Sequence, residues 1–165
     1  MPIDTSILKR YINPYFIETG SHIGNGIQSA IDSGFDDIIS IELSEKYYNI
    51  CKEKFKYNSK IALVFGDAEL VLLDVINKID NKITFWLDGH DSGDDTAAGL
   101  HADPIFQELE IIKQHKIKEH TILIDDIRGM DVNKLKEKIL EINNDYVITF
   151  EDGYVPNDIL VAKIT

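Results

Sequence analysis

The chain of 165 residues has little of what marks the specialised protein classes. It holds a single cysteine, Cys51, which excludes an internal disulfide framework and a cysteine zinc cage. Its uninterrupted apolar runs last only a few residues, far short of the roughly 20 that cross a bilayer. Residues 1–10 mix Asp4, Lys9 and Arg10 with short apolar pieces, unlike a secretory leader. Basic residues are scarce: 17 Lys and Arg against 29 Asp and Glu leave a net charge of −12. A surface so acidic repels phosphate backbones and anionic lipid, which argues against nucleic-acid and membrane partners. No repeat, low-complexity tract or linker interrupts the chain. The 44% hydrophobic and 28% charged residues have the balance of one cytoplasmic globular domain over residues 1–165.

Two periodicities alternate along that domain. A short opening helix is predicted over 6–12 within the first 14 residues, capped by Asp4 or Thr5 and stopped by Asn13-Pro14. β-rich runs follow at 15–17, 37–43, 61–65, 83–87 and 121–124. Helical segments fall between and after them at 26–33, 45–57, 69–79, 104–114 and 132–142. Gly34 caps the first of these, Ser44 precedes the second, and Pro104 opens the fourth. In the 45–57 helix, Tyr47, Ile50, Cys51, Lys54 and Phe55 share one face, which makes Cys51 a packed core thiol. The last β runs, 146–150 and 159–164, have no helix between them and are expected to pair as an antiparallel hairpin. Strand–helix repetition requires parallel pairing with helices on both faces. The expected architecture is a three-layer α/β sheet, mostly parallel, with a C-terminal antiparallel hairpin.

Ligands of such sheets bind beyond the carboxyl ends of the strands, near the reversal of strand order. Each of those five ends carries an acid: Glu18, Glu42, Asp67, Asp88 and the pair Asp125-Asp126. The first strand also runs into Glu18-Thr19-Gly20-Ser21-His22-Ile23-Gly24-Asn25-Gly26 ahead of a helix. Glycines there let backbone pass close to a ligand, and a helix start offers free N–H groups. The spacing G-x-x-x-G-x-G differs from the dinucleotide pattern G-x-G-x-x-G. Glu42 follows the first glycine by about twenty residues, where a carboxylate accepts both hydroxyl protons of a ribose. An adenosine-type nucleoside is therefore the expected ligand, and the acidic rim favours a cationic one over a pyrophosphate.

IETGSHIGNG followed in order by SIEL, FGDA, WLDG and LIDD resembles a class I S-adenosylmethionine-dependent methyltransferase over about residues 15–165. The resemblance implies a doubly wound, Rossmann-like methyltransferase sheet. It also implies that Glu18, Gly20, Ser21 and Gly24 line the methionine part of the cofactor. Glu42 then holds the ribose, and Asp67 with Ala68 flanks the adenine. Asp88 after the fourth strand, with Asp125 and Asp126 after the fifth, is similar to the Mg-dependent O-methyltransferases of the catechol and macrolide-sugar types. Three converging carboxylates suit Mg²⁺, which would hold a substrate hydroxyl and align it with the methyl carbon. His90 is the candidate base beside Asp88, because the ordinary pKa of a histidine lies close to neutrality. Asp91 stands in the region where catechol-type enzymes carry a lysine. Asp126 is a carboxylate, as in the sugar enzymes, where the catechol type commonly has an amide.

The implied function is Mg-assisted O-methylation of a small hydroxylated acceptor such as a sugar, with a homodimer closing the open site. An aminopropyl transferase on this fold usually adds an N-terminal β domain. The non-enzymatic alternative is a catalytically silent cofactor-binding or interaction module. Few residues precede the first strand, where many relatives carry lid helices. The glycine-rich, acidic stretch 89–103 is long for a connection and is expected to be a mobile active-site loop. His22 is assigned no role beyond its loop, His101 is read as a solvated loop histidine, and His115 and His120 are expected to face solvent. Trp86 is expected in the core, and Arg128 is expected to neutralise Asp126.

Overall fold

A computed structural model describes residues 3–88 and 104–165. Seven strands form one sheet in the order β3-β2-β1-β4-β5-β7-β6. The strands are β1 (Tyr15–Thr19), β2 (Asp37–Glu42), β3 (Ile61–Phe65), β4 (Ile83–Leu87), β5 (Thr121–Ile124), β6 (Val147–Glu151) and β7 (Ile159–Lys163). Those from β1 to β5 pair in parallel, while β7 runs antiparallel to both β5 and β6. The helices are α1 (Thr5–Leu8), α2 (Asn25–Ser33), α3 (Glu45–Lys54), α4 (Ala68–Ile76), α5 (Ile105–Gln114) and α6 (Val132–Ile142). The expected mixed α/β sheet with its terminal hairpin is what forms.

The period of two along each strand sorts the core into two layers. Ile17, Phe85, Leu87, Ile122 and Ile124 meet α4, α5 and α6 through Leu72, Leu109 and Ile139. Phe16, Trp86, Leu123 and Val161 point the other way, onto Leu8, Ile27 and Cys51 of α1, α2 and α3. Every residue of β4 and β5 is buried, as strands covered on both faces must be. Trp86 and Cys51 are core residues as expected, and the Cys51 thiol donates to His22 O at 3.2 Å.

Several expectations need correction. The N-terminal helix is a single turn over Thr5–Leu8, capped by Asp4, whose carboxylate accepts from Ser6 N; the chain leaves helical geometry well before Asn13-Pro14. Helix α3 stops at Lys54, and Ile50 is exposed rather than on the core face. Ser44 sits at the α3 N-cap, yet its side chain makes no cap bond. His115 and His120 do not face solvent: both are fully buried and hydrogen-bond to each other at 2.9 Å. The lysines around them are what face water, with Lys116 paired to Asp80 and Lys113 to Glu141.

Candidate cofactor and metal site

Strand order reverses at β1, which lies between β2 and β4, and that position opens a crevice at the carboxyl edge. Ladder bonds continue past the strand ends there. Gly20 N donates to Ile41 O (2.9 Å), Gly66 N to Glu42 O (2.9 Å) and Asp125 N to Leu87 O (3.1 Å). These bonds bring the acids of five strand ends to one rim, as the sequence pattern anticipates.

The three loop glycines have three different causes. Gly20 has φ +89, a left-handed conformation that suits glycine, and a Cβ there would lie 3.6 Å from the Asp88 carbonyl oxygen across the crevice. Gly24, also left-handed, is the N-cap of α2; a Cβ would come within 2.6 Å of Phe55 Cε2. At Gly26 a Cβ would overlap Glu18 Oε2. Gly20 thus borders the crevice, while Gly24 and Gly26 are demanded by packing beneath the loop.

That packing centres on Glu18, only 1% exposed, whose Oε1 accepts from Ser40 Oγ at 2.6 Å; the Ser40 hydroxyl also pairs with Ser21 Oγ. Burial pushes the Glu18 carboxyl up to about 8, helped by the charges of Asp88 and Glu42 and opposed by the Ser40 bond. Glu42 ties the loop to the next strand end: its Oε2 accepts from His22 N (2.8 Å) and its Oε1 from Ser44 N (2.7 Å). His22 is left-handed at φ 46, with its ring against Tyr47 at 4.3 Å. Asp67 caps α4 by accepting from Glu69 N at 2.9 Å, with Ala68 as the first helical residue.

On the other side of the crevice, Asp88, Asp125 and Asp126 each present an oxygen, all within 4.8 Å of one another. Burial pushes Asp125 up to about 7, and the nearby Asp88 charge adds to it. Three hard oxygen donors with such mutual repulsion suit a divalent cation, whose charge removes the cost of ionising all three. Asp126 is held left-handed at φ 52, an uncommon backbone for a residue other than glycine. Arg128 pairs with Asp126, as expected. Its Nε also lies 3.0 Å from the buried Asp158, and its guanidinium stacks over Tyr154. A cavity of about 630 Å³ opens beside Asp125 and Asp126 on the α1 side of the sheet, with Trp86 on its wall. His90 and the 89–103 stretch lie outside the described residues.

Sequence reading missed Ser40 and Glu108. Ser40 is a lone hydroxyl inside an apolar strand, and its need for a partner was the available signal. Glu108 is 2% exposed and neighbours Thr19, Glu69, Asp67 and Asp88; burial pushes it up to about 8, and the charges of Glu69, Asp67 and Asp88 add to the rise. It shares the α5 stripe of Ile105, Leu109 and Ile112, so an acid on an apolar face was legible there.

No protein-family model matches the chain, and no curated protein sequence does. Solved structures do. The O-methyltransferase from Bacillus cereus in complex with S-adenosylhomocysteine superposes with a TM-score of 0.64 at 12% identity, covering 98% of this chain and 78% of that one. The O-methyltransferase TomG from Streptomyces achromogenes, in complex with S-adenosylmethionine, gives 0.65 at 10% identity, covering 98% and 77%. The fold is the methyltransferase fold. An rRNA methylase from Streptococcus thermophilus shares it too, with a TM-score of 0.63 at 9% identity over 98% of this chain and 94% of that one. Neighbours on this fold thus differ in acceptor, so the acceptor has to be argued from the site. Among the described residues no helix is long and apolar enough to cross a membrane.

Proposed function

We propose that this protein is an S-adenosylmethionine-dependent O-methyltransferase assisted by a divalent cation, Mg²⁺ in the first instance, acting on a small hydroxylated acceptor. The observation that carries the reading is the convergence of Asp88, Asp125 and Asp126 beside the Gly20 loop at the strand-order reversal. S-adenosylmethionine supplies an electrophilic methyl group when bound, and a divalent cation supplies a Lewis acid that makes a hydroxyl more acidic.

The protein's own groups then divide the remaining work. Gly20, without a Cβ, gives the cofactor room against backbone, and the Glu18–Ser40–Ser21 chain holds the loop in that shape. Glu42 takes the ribose hydroxyls on the lone pairs left by its two backbone donors. Asp67 and Ala68 flank the adenine. The negative rim attracts the cationic sulfonium form and has less hold on the neutral product, which favours product release. Asp88, Asp125 and Asp126 hold the cation, and His90 takes the acceptor's proton. The cavity beside Asp125 and Asp126 has the volume of a small-molecule site.

The test is Asp88→Ala. Methyl transfer, assayed with Mg²⁺ over a panel of vicinal diols and catechols, should fall by about a hundredfold or more. Affinity for S-adenosylhomocysteine, read by calorimetry, should stay within about threefold, because the ribose and adenine groups are on other strands. Undiminished turnover in Asp88→Ala contradicts the metal role.

A further inference from the structure

The cavity beside Asp125 and Asp126 has a charge pattern that the methyltransferase reading does not require. Its described wall carries five acids and one cation, Arg10. That cation is already engaged. Both guanidinium ends meet Glu151 at 2.8 Å, and Tyr11 Oη donates to the same carboxylate at 2.6 Å. Arg128, which stacks over the wall residue Tyr154, is likewise engaged, by Asp126 and Asp158. Asp4 and Asp152 have no ion-pair partner among the described residues, while Asp125 feels the charge of Arg128. Asp4 and Asp152 are fixed in place, not neutralised: Asp4 accepts from Ser6 N at 2.6 Å and Asp152 from Asn157 N at 2.9 Å.

Two aromatic side chains complete the wall. Trp86, 3% exposed, lines the cavity together with Asp125 and Asp126, and Tyr154 is 70% exposed with Arg128 over one part of its ring. An aromatic face flanked by carboxylates and lacking a free cation suits a ring that carries positive charge and rejects one that carries a carboxylate or phosphate.

We propose that the acceptor is an amine-bearing hydroxylated ring of amino-sugar size, seated with its hydroxyls toward Asp125 and Asp126 and its ammonium group toward Asp4 and Asp152. This rests on the same cavity being the acceptor pocket of the proposed enzyme. It narrows the acceptor to cationic molecules and sets anionic thioesters, acids and phosphorylated sugars aside. A cation bound by the triad consumes the charge of Asp125 and Asp126, so the discrimination falls to Asp4 and Asp152.

Trp86 is the sole tryptophan, so intrinsic fluorescence reports this cavity directly. Three isosteric probes decide the matter: the methyl glycosides of 6-amino-6-deoxyglucose, glucose and glucuronate, titrated in Mg²⁺ at pH 7.5. The amine should bind about tenfold or more tighter than the neutral sugar, and the glucuronate most weakly. Asp152→Asn should cut the amine's advantage to about threefold or less, and Asp152→Glu should keep it. Asp36→Asn, just before β2 and away from the cavity wall, should leave it untouched, which separates the pocket from the overall charge. Equal affinities, a preference for glucuronate, or no fluorescence change with any probe overturns the proposal. S-adenosylhomocysteine titrated into the same protein keeps the two ideas apart. Its failure to bind would remove the methyltransferase reading, while the charge preference of the cavity would still be measured.

Discussion

Gly26 shows how a single residue position connects the cofactor loop to the core. A methyl group there would overlap the Glu18 carboxyl, which is buried and held by Ser40. Gly26→Ala should therefore destabilise the fold by about 1–3 kcal/mol, a cost typical of overpacking. For a domain of this size that lowers the melting temperature by roughly 2–12 °C. Glu18→Ala in the same chain should recover part of the loss, because the two side groups compete for one volume. A Gly26→Ala variant as stable as the parent contradicts this description of the loop. The loop's glycine pattern was plain in the sequence, but the partners of each glycine were not. The clash partners Glu18 and Phe55 come from other turns of the chain, and only three-dimensional packing names them.

At the scale of elements, the turn from α5 into β5 is the clearest lesson. The stretch His115-Lys116-Ile117-Lys118-Glu119-His120 reads as a solvated, charged turn, yet both histidines are buried at the amino-terminal edge of the sheet. Hydrogen bonds order their protons. Ile83 N donates to His120 Nδ1 at 3.1 Å, leaving Nε2–H to donate to His115 Nδ1 at 2.9 Å; His115 Nε2–H donates to Ile79 O at 3.0 Å. A further proton on His120 would set two donors face to face at Ile83. Burial, reinforced by His115, lowers His120 from its ordinary 6.5 to about 3. The unfolded chain then binds a proton that the folded chain refuses, so this contribution to stability is present above about pH 6.5 and is lost as pH falls toward 3. Glu18 and Glu108 act in the opposite sense, losing stability as pH rises from about 4.5 to about 8. The decisive comparison is therefore between variants. His120→Asn offers an acceptor to Ile83 without a titrating ring, so its denaturant midpoint should fall less than the parent's between pH 6.5 and 4.5. Identical slopes in the two proteins contradict the assignment. Elsewhere the elements were legible, because buried strands such as ITFWL and TILI and the stripes of α5 and α6 carry their own periodicity. Helix ends were not: α1, α3 and α4 stop at Leu8, Lys54 and Ile76, each short of the stretch whose apolar spacing reads as helical.

For the whole molecule, topology brings the chemistry together. Alternation of strand and helix was enough to anticipate parallel pairing, and hence that Glu18, Glu42, Asp67, Asp88 and Asp125-Asp126 share one edge. The sequence could not say that Asp88, Asp125 and Asp126 converge within 4.8 Å, nor that a cavity with an acidic wall opens beside them, because those depend on strand order and on the α1 turn folding back over the sheet. With a net charge of −12 and carboxyls crowded at the crevice, binding of a cation there should relieve repulsion and favour a cofactor seated across the gap from it. The most direct measurement is titration calorimetry of the protein with S-adenosylhomocysteine, with and without Mg²⁺. A cation-assisted methyltransferase should bind it with a dissociation constant on the order of 1–100 μM, more tightly when Mg²⁺ is present. No binding in either buffer would contradict a cofactor site at this crevice and the enzymatic function built on it.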